Sequence, residues 1–446
     1  MKRSPWRYLW KSEDIRKKLL ITLMLLVIYR IAANIPVPGI NRGVLEALAT
    51  GGGAAGNLFN LLDMLSGGTV SNFSILAMGV YPYITAQIII QLLVPIIPAL
   101  ERKLKDDPRE GRKWMERWTV ILTIPMALLS AIGQINIFNS MTGGASILNN
   151  YGFTGENLLP TVTVLFSMVA GTMFGIWLGQ LISEFGIPNQ GLSLIIFSGI
   201  VSGIPGNIAS LLADKVNGWW MFLVIMAILL LTIFAIVYVQ QGRRFVPVLF
   251  PGRRIGNRMS MPVRSNLPLM VNMAGMIPLI FAQSFMSFPA IIASYFMNSQ
   301  SEWIRSFSSS VYNLFGGSNL WYALLFFVLV VVFTYFYTDV MFTQQNYGDN
   351  LKRQGAQIPG VIRGGQTQKY LTKVQRRITL PGALFLGLVA VLPYILSAIL
   401  PAGASSGLLL ISSAGLLIVV GVVRDTVNII QTELKLHGYE EDLIKG

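Results

Sequence analysis

Apolar residues in this chain come in long blocks rather than alternating with polar ones. The blocks cover residues 19–33, 75–100, 118–137, 158–182, 192–212, 219–239, 267–297, 320–338, 378–400 and 407–423. Most reach or approach the ~20 residues a helix needs to cross a hydrocarbon core about 30 Å thick. The first block is short, but the stretch to Ile40 extends it if Arg30 snorkels to the interface. The pattern predicts an all-α integral membrane protein with ten transmembrane helices. Composition agrees. Charged residues make up 12% of the chain, about half of the roughly 25% usual in soluble domains.

Charge then orients the spans. The net charge of +14 would point to nucleic acid in a soluble protein, but here its distribution has a simpler source. Apart from Arg30, Arg42, Lys215 and Arg305, all 34 Lys and Arg lie in five segments: 1–18, 101–117, 241–266, 342–377 and 424–446. With ten crossings these segments share one side, which the positive-inside rule makes cytoplasmic. Both termini are therefore expected inside. One inside loop, 183–190, carries no Lys or Arg. In the N-terminal tail Trp6, Tyr8 and Trp10 alternate with basic residues, the pattern of an interfacial segment.

Several spans suit a protein interior better than lipid. Block 75–100 holds Gly79, Pro82, Gln87, Gln91, Pro95 and Pro98, and block 267–297 holds Asn272, Gly275, Pro278, Gln283 and Pro289. Broken or polar helices persist in a bilayer only where protein or a water-filled cavity covers them. Gly171, Gly175 and Gly179, and again Gly199 and Gly203, recur every fourth residue, a spacing that lets helices approach closely. Between the first two blocks, Gly51–Gly53 and Gly56 precede residues 57–66, and Gly67 and Gly68 follow them. Leu58, Phe59, Leu61, Leu62 and Leu65 fall on one helical face. Ten residues cannot span a bilayer, so a re-entrant or movable element and an interfacial helix are both open.

Enzyme chemistry finds little support. The chain has no cysteine and a single histidine, His437, which excludes a disulfide framework and a cysteine nucleophile. Residues 403–407 match the Gly-x-Ser-x-Gly pattern, but between two spans, after no strand and without a histidine partner. No cofactor or metal is expected. Ionisable groups are nearly absent inside the spans. A secondary transporter with inverted repeats and broken helices, the alternative function, usually needs buried carboxylates or unwound ion sites.

Three segments carry a family resemblance: GVYPYITAQIIIQLL from Gly79, GIPNQGLSLIIFSGIV from Gly186 and LPLMVNMAGMIPLIFAQS from Leu267. They resemble SecY, the central subunit of the bacterial Sec protein translocase, and the order and spacing of the spans match it along essentially the whole chain. The resemblance implies two pseudo-symmetric five-helix halves, residues 19–212 and 213–423, around an hourglass pore. It implies a ring of bulky aliphatic side chains at the waist, similar here to Val80, Ile84, Ile196, Ile200, Ile280 and Ile418. Residues 57–66 resemble the family's plug, with Asn57, Leu58, Phe59, Leu61, Leu62, Asp63, Leu65 and Ser66 as its members. The second and seventh spans resemble the lateral gate, with Thr85, Gln87, Asn272 and Gln283 as gate residues.

The basic loops 241–266 and 342–377 are similar to the family's docking sites for the ribosome and the SecA ATPase. Their candidate contacts are Arg243, Arg244, Arg253, Arg254, Arg258, Arg363 and Lys369. The family often has Pro-Gly-Ile-Arg-Pro-Gly in the second loop, where this chain has Pro359-Gly360-Val361-Ile362-Arg363-Gly364. The arginine is shifted by one and the second proline is lost. The resemblance further implies SecE-like and SecG-like small membrane subunits as partners. It implies signal sequences and unfolded polypeptide as cargo, and a bacterial plasma membrane location. Function is then passive conduction of secretory chains, with lateral release of apolar segments into the lipid bilayer.

Overall fold

The structure is a computed structural model and describes residues 12–41, 43, 73–100, 102, 107–141, 147–148, 151–152, 155–212, 218–250, 254–255, 258–259, 263–296, 301–315, 320–362, 364–399 and 413–436. Its helices are α1 (Glu13–Ala32), α2 (Tyr81–Ile96), α3 (Pro108–Met141), α4 (Leu158–Phe185), α5 (Gly191–Leu212), α6 (Gly218–Gln241), α7 (Ile277–Phe296), α8 (Glu302–Phe315), α9 (Leu320–Gln344), α10 (Tyr347–Arg353), α11 (Gly365–Ile399) and α12 (Ser413–Leu436). Among the described residues, six helices are long and apolar enough to cross a membrane, and three shorter apolar ones lie within α2, α5 and α7. The chain divides into two compact units: residues 1–225, 285–322 and 400–446, and residues 226–284 and 323–399.

In the first unit α4 is the central helix, packed against α1, α3 and α5, while α2 packs on α3 and α12 on α5. Nothing in the sequence of α4 breaks it. Pro160 falls in the first turn, where proline is tolerated. The hydroxyls of Thr161 and Thr172 donate to the carbonyls of Asn157 and Met168, so its polar side chains are satisfied within the helix. At one end, Val37, Phe73, Met78, Ile135, Ile147, Leu148 and Met168 form a common apolar core. Bridges Pro36↔Ser74 and Ile40↔Leu148 join the α1–α2 and α3–α4 connections there. At the other end, the Ile187 N–H donates to the Thr22 hydroxyl at 3.3 Å, and Lys18 of α1 pairs with Glu433 of α12.

Two spans begin later than the apolar blocks suggest. Block 75–100 becomes helical only at Tyr81, because Gly79 sits at φ 52° and Pro82 occupies the first turn. Block 267–297 becomes helical only at Ile277, because residues up to Met270 belong to a strand and Gly275 has φ 63°. Conversely, helices invade the basic loops. Asp107 Oδ1 accepts the N–H groups of Arg109 and Glu110, each at 3.1 Å. With Pro108 at the first helical position this starts α3 well before residue 118. Helix α11 likewise starts at Gly365, and α12 continues to Leu436.

The second unit departs from the all-α expectation. Strands β1 (Arg243–Phe250) and β4 (Val263–Met270) form an antiparallel ribbon, with the two-residue strands β2 (Arg254–Ile255) and β3 (Arg258–Met259) between them. The register runs from Arg243↔Met270 to Phe250↔Val263. Val246 and Val248 are buried while Phe245 is exposed, the period of two that a one-sided ribbon requires. Leu249 and Gln357 exchange backbone hydrogen bonds of 2.8 and 2.9 Å, so the second basic loop joins the ribbon. Val246, Val248, Leu269, Phe342, Leu351, Ile358 and Leu371 share one core. The two basic loops are therefore one folded module.

Candidate functional site

The aliphatic side chains singled out by family resemblance lie on four elements. Val80 is buried and immediately precedes α2, and its carbonyl accepts the Ile84 N–H at 3.2 Å. The pair thus spans the entry turn of α2 rather than stacking inside a continuous helix. Ile84 is half-buried. Ile196 and Ile200 lie on α5, the first buried and the second half-buried, and Ile418 is buried on α12. Ile280 is buried in the second unit, on the first turn of α7.

The glycine stripe of α4 lies against Val80 and against the start of α5, which carries Ile196 and Ile200. A Cβ on Gly171 would lie 2.0 Å from the Ile75 carbonyl oxygen. One on Gly175 would meet Tyr29, Leu76 and Val80 at 3.5–3.9 Å. One on Gly179 would lie 2.8 Å from Leu192 Cδ2 and 3.3 Å from Ile195 Cδ1. The approach to α2 and the start of α5 therefore both rest on one bare strip of α4. The spacing of these glycines was visible in the sequence, but not which elements they touch.

The proposed gate residues are polar groups within apolar helices or their approaches. Thr85 donates to the Tyr81 carbonyl at 3.1 Å, and Gln87 is half-buried beside it on α2. Gln283 is buried on α7. Asn272 precedes α7 and is turned inward on its own loop. Its Oδ1 accepts the Gly275 N–H at 2.9 Å, and its Nδ2 donates to the Gly275 carbonyl at 3.1 Å. Its amide therefore closes the bend that leads into α7. Among the described residues every buried polar side chain is Thr, Ser, Gln or Asn, and no Asp, Glu, Lys or Arg is buried.

Arg243 and Arg244 are exposed on β1, and Lys369 is exposed on α11. Arg254 and Arg258 stand on β2 and β3, which pair with each other in a separate two-stranded sheet. Arg253, Arg363 and all of the plug segment 57–66 lie outside the described residues. Sequence reasoning missed how the module meets α7. Buried Gln375 on α11 donates from Nε2 to the Met270 carbonyl at 3.1 Å. Gly382 brings α11 so close to Val271 that a Cβ there would lie 2.8 Å from the Val271 carbonyl oxygen. The strand end and the bend before α7 are thus seated directly on α11.

The fold is similar to that of a solved protein-conducting channel, with a TM-score of 0.61 and 16% identity over 99% of this chain and 100% of that one. It is also similar to Sec61 from a canine ribosome–channel complex, with a TM-score of 0.58 over 99% of this chain and 100% of that one. The architecture is thus that of the helical protein-conducting channels of membranes. The chain belongs to the SecY family, whose model matches residues 74–427. It is 36% identical over 440 residues to the protein translocase subunit SecY of Streptomyces galbus, covering 97% of each chain.

Proposed function

We propose that this chain is the pore-forming subunit of a protein translocase. It passes unfolded secretory polypeptides across the plasma membrane of a bacterium and releases their apolar segments sideways into lipid. The observation that carries this reading is membership of the SecY family over nearly the whole chain. Ten helices cross the membrane, in two five-helix halves. Val80, Ile84, Ile196, Ile200, Ile280 and Ile418 form a dry aliphatic gasket that blocks ions yet deforms around a passing chain, and residues 57–66 plug it. The chain is a conduit rather than an enzyme, so driving force comes from a partner ATPase or a ribosome docked on the basic module. SecE-like and SecG-like subunits complete the assembly.

Sidedness has support from the first unit. The start of α1, the α4–α5 turn and the end of α12 meet through Thr22, Ile187, Lys18 and Glu433. The segments before α1 and at the end of α12 are ones that the charge distribution assigns to the cytoplasm. The α4–α5 turn, which carries no Lys or Arg, falls on the same side by the count of crossings. The lack of buried charge among the described residues disfavours a coupled carrier.

The lateral gate is the decisive test. The chain has no native cysteine, so Gln87→Cys combined with Gln283→Cys gives a clean pair. In proteoliposomes with the partner subunits and motor ATPase, oxidation should arrest preprotein translocation and reduction should restore it. Full translocation by a verified crosslinked protein would sink the gate assignment.

A further inference from the structure

A groove of about 710 Å³ lies between α9 and α11, lined by Tyr335, Lys369, Lys373, Arg376, Arg377 and Leu380 among others. Four cations bound one cavity, and the described structure neutralises only Arg376. That guanidinium is held by Asp339 through hydrogen bonds of 2.7 to 3.1 Å. No carboxylate among the described residues pairs with Lys369, Lys373 or Arg377. A concentration of unpaired positive charge in a concave site favours an anion.

The face that carries the cations continues into apolar surface. Lys369, Lys373, Arg376 and Arg377 are followed on the same side of α11 by Leu380, Leu384 and Leu388, at steps of three or four residues. These three leucines are exposed at 52%, 43% and 57%. On α9, Val328 and Val332 are exposed within two turns of Tyr335 at steps of three and four residues. The two helices run antiparallel and stay close. They are tied at the polar end by Arg376 and Asp339, and at the apolar end Gly387 lies against Phe327 and Val331. From Lys373 to Leu388 the face is about 22 Å long. It thus offers cations, then an amphipathic tyrosine, then an apolar track.

We propose that this groove binds one anionic phospholipid. Lys369, Lys373 and Arg377 hold the headgroup phosphate, and an acyl chain lies along Leu380, Leu384 and Leu388. The apolar continuation favours a lipid because one molecule can meet the cations and the leucines together, whereas RNA phosphates or an acidic protein surface would engage the cations alone. The proposal requires only that α9 and α11 span a bilayer. The groove shares Lys369 with the candidate docking contacts, and lipid binding to it is read without any translocation assay.

The test is native mass spectrometry of the purified full chain, titrated with palmitoyl-oleoyl phosphatidylglycerol or with phosphatidylcholine of the same chains. Each cation near an anionic headgroup contributes about a fivefold gain in affinity. Lys373→Gln with Arg377→Gln should therefore weaken phosphatidylglycerol binding by roughly tenfold to thirtyfold. Phosphatidylcholine binding should not change. The charge-keeping pair Lys373→Arg with Arg377→Lys should retain the preference, and Arg377→Gln alone should show the smaller loss if the double variant is poorly folded. Unchanged phosphatidylglycerol binding in the neutralised variants overturns the proposal. So does displacement of the lipid by equimolar glycerol 3-phosphate, which would mark a free-anion site. Loss of binding to a single-stranded RNA oligomer with lipid binding intact would mark a docking surface instead, and would also overturn it.

Discussion

Replacing Gly171 by alanine tests how closely α4 supports the pore elements. The added Cβ would stand 2.0 Å from the Ile75 carbonyl oxygen and 2.6 Å from its carbon. A carbon–oxygen contact settles near about 3.3 Å, so the approach to α2 must retreat by roughly 1.3 Å. No rotamer change relieves this, because the obstacle is backbone. Overpacking costs about 1–3 kcal/mol and sometimes more, whereas alanine gains about 1 kcal/mol over glycine in a helix interior. With a backbone obstacle the upper end applies. The net loss should be about 2 kcal/mol, a roughly thirtyfold fall in the folded-to-unfolded ratio. Gly203 on α5 is the control. It belongs to the same kind of four-residue repeat, yet a Cβ there meets nothing within 4 Å. Gly203→Ala should be neutral or stabilising by up to about 1 kcal/mol. Reversible unfolding in mixed detergent micelles, followed by tryptophan fluorescence, measures both. Equal stability of Gly171→Ala and the parent protein, or equal losses in both variants, would refute the close approach of α4 to residue 75.

Phe342, 1% exposed in the module core, should cost about 3–5 kcal/mol when cut to alanine. Its effect should appear as faster proteolysis within 241–266 and 342–377 while the remaining chain resists. Glu433→Gln should cost no more than about 1 kcal/mol, since the Lys18 side chain is 37% exposed. A double-mutant cycle with Lys18→Gln should return a coupling that shrinks in high salt, and salt-independent coupling would argue against an ion pair. Deleting residues 57–66 should leave a folded protein with a higher resting ion conductance in planar bilayers, and an unchanged conductance would remove the plug assignment.

Much of the fold was legible in the sequence because a bilayer imposes a local demand. Each crossing must be apolar along its own length, and each loop declares its side by its own lysines and arginines. The blocks at 158–182 and 219–239 correspond closely to α4 and α6 for that reason. The family resemblance likewise rested on contiguous stretches. What could not be read locally was set by contacts between distant residues. Residues 267–270 are apolar enough to look like the start of a span, but pairing with 243–246 makes them strand. Nothing near Asn272 announces that its amide is spent on Gly275. Gly171 and Gly203 read alike in one dimension, and only packing tells them apart, because a glycine's worth depends on what its missing Cβ would strike. The sequence by itself predicted which segments are apolar enough to enter a membrane, and its charge distribution led us to propose on which side their ends lie. The tertiary structure decided where helices start, that the two basic loops share one core, and that one bare face of α4 carries the approach to α2 and the start of α5. Hydropathy is a property of a segment, whereas steric fit is a property of a pair.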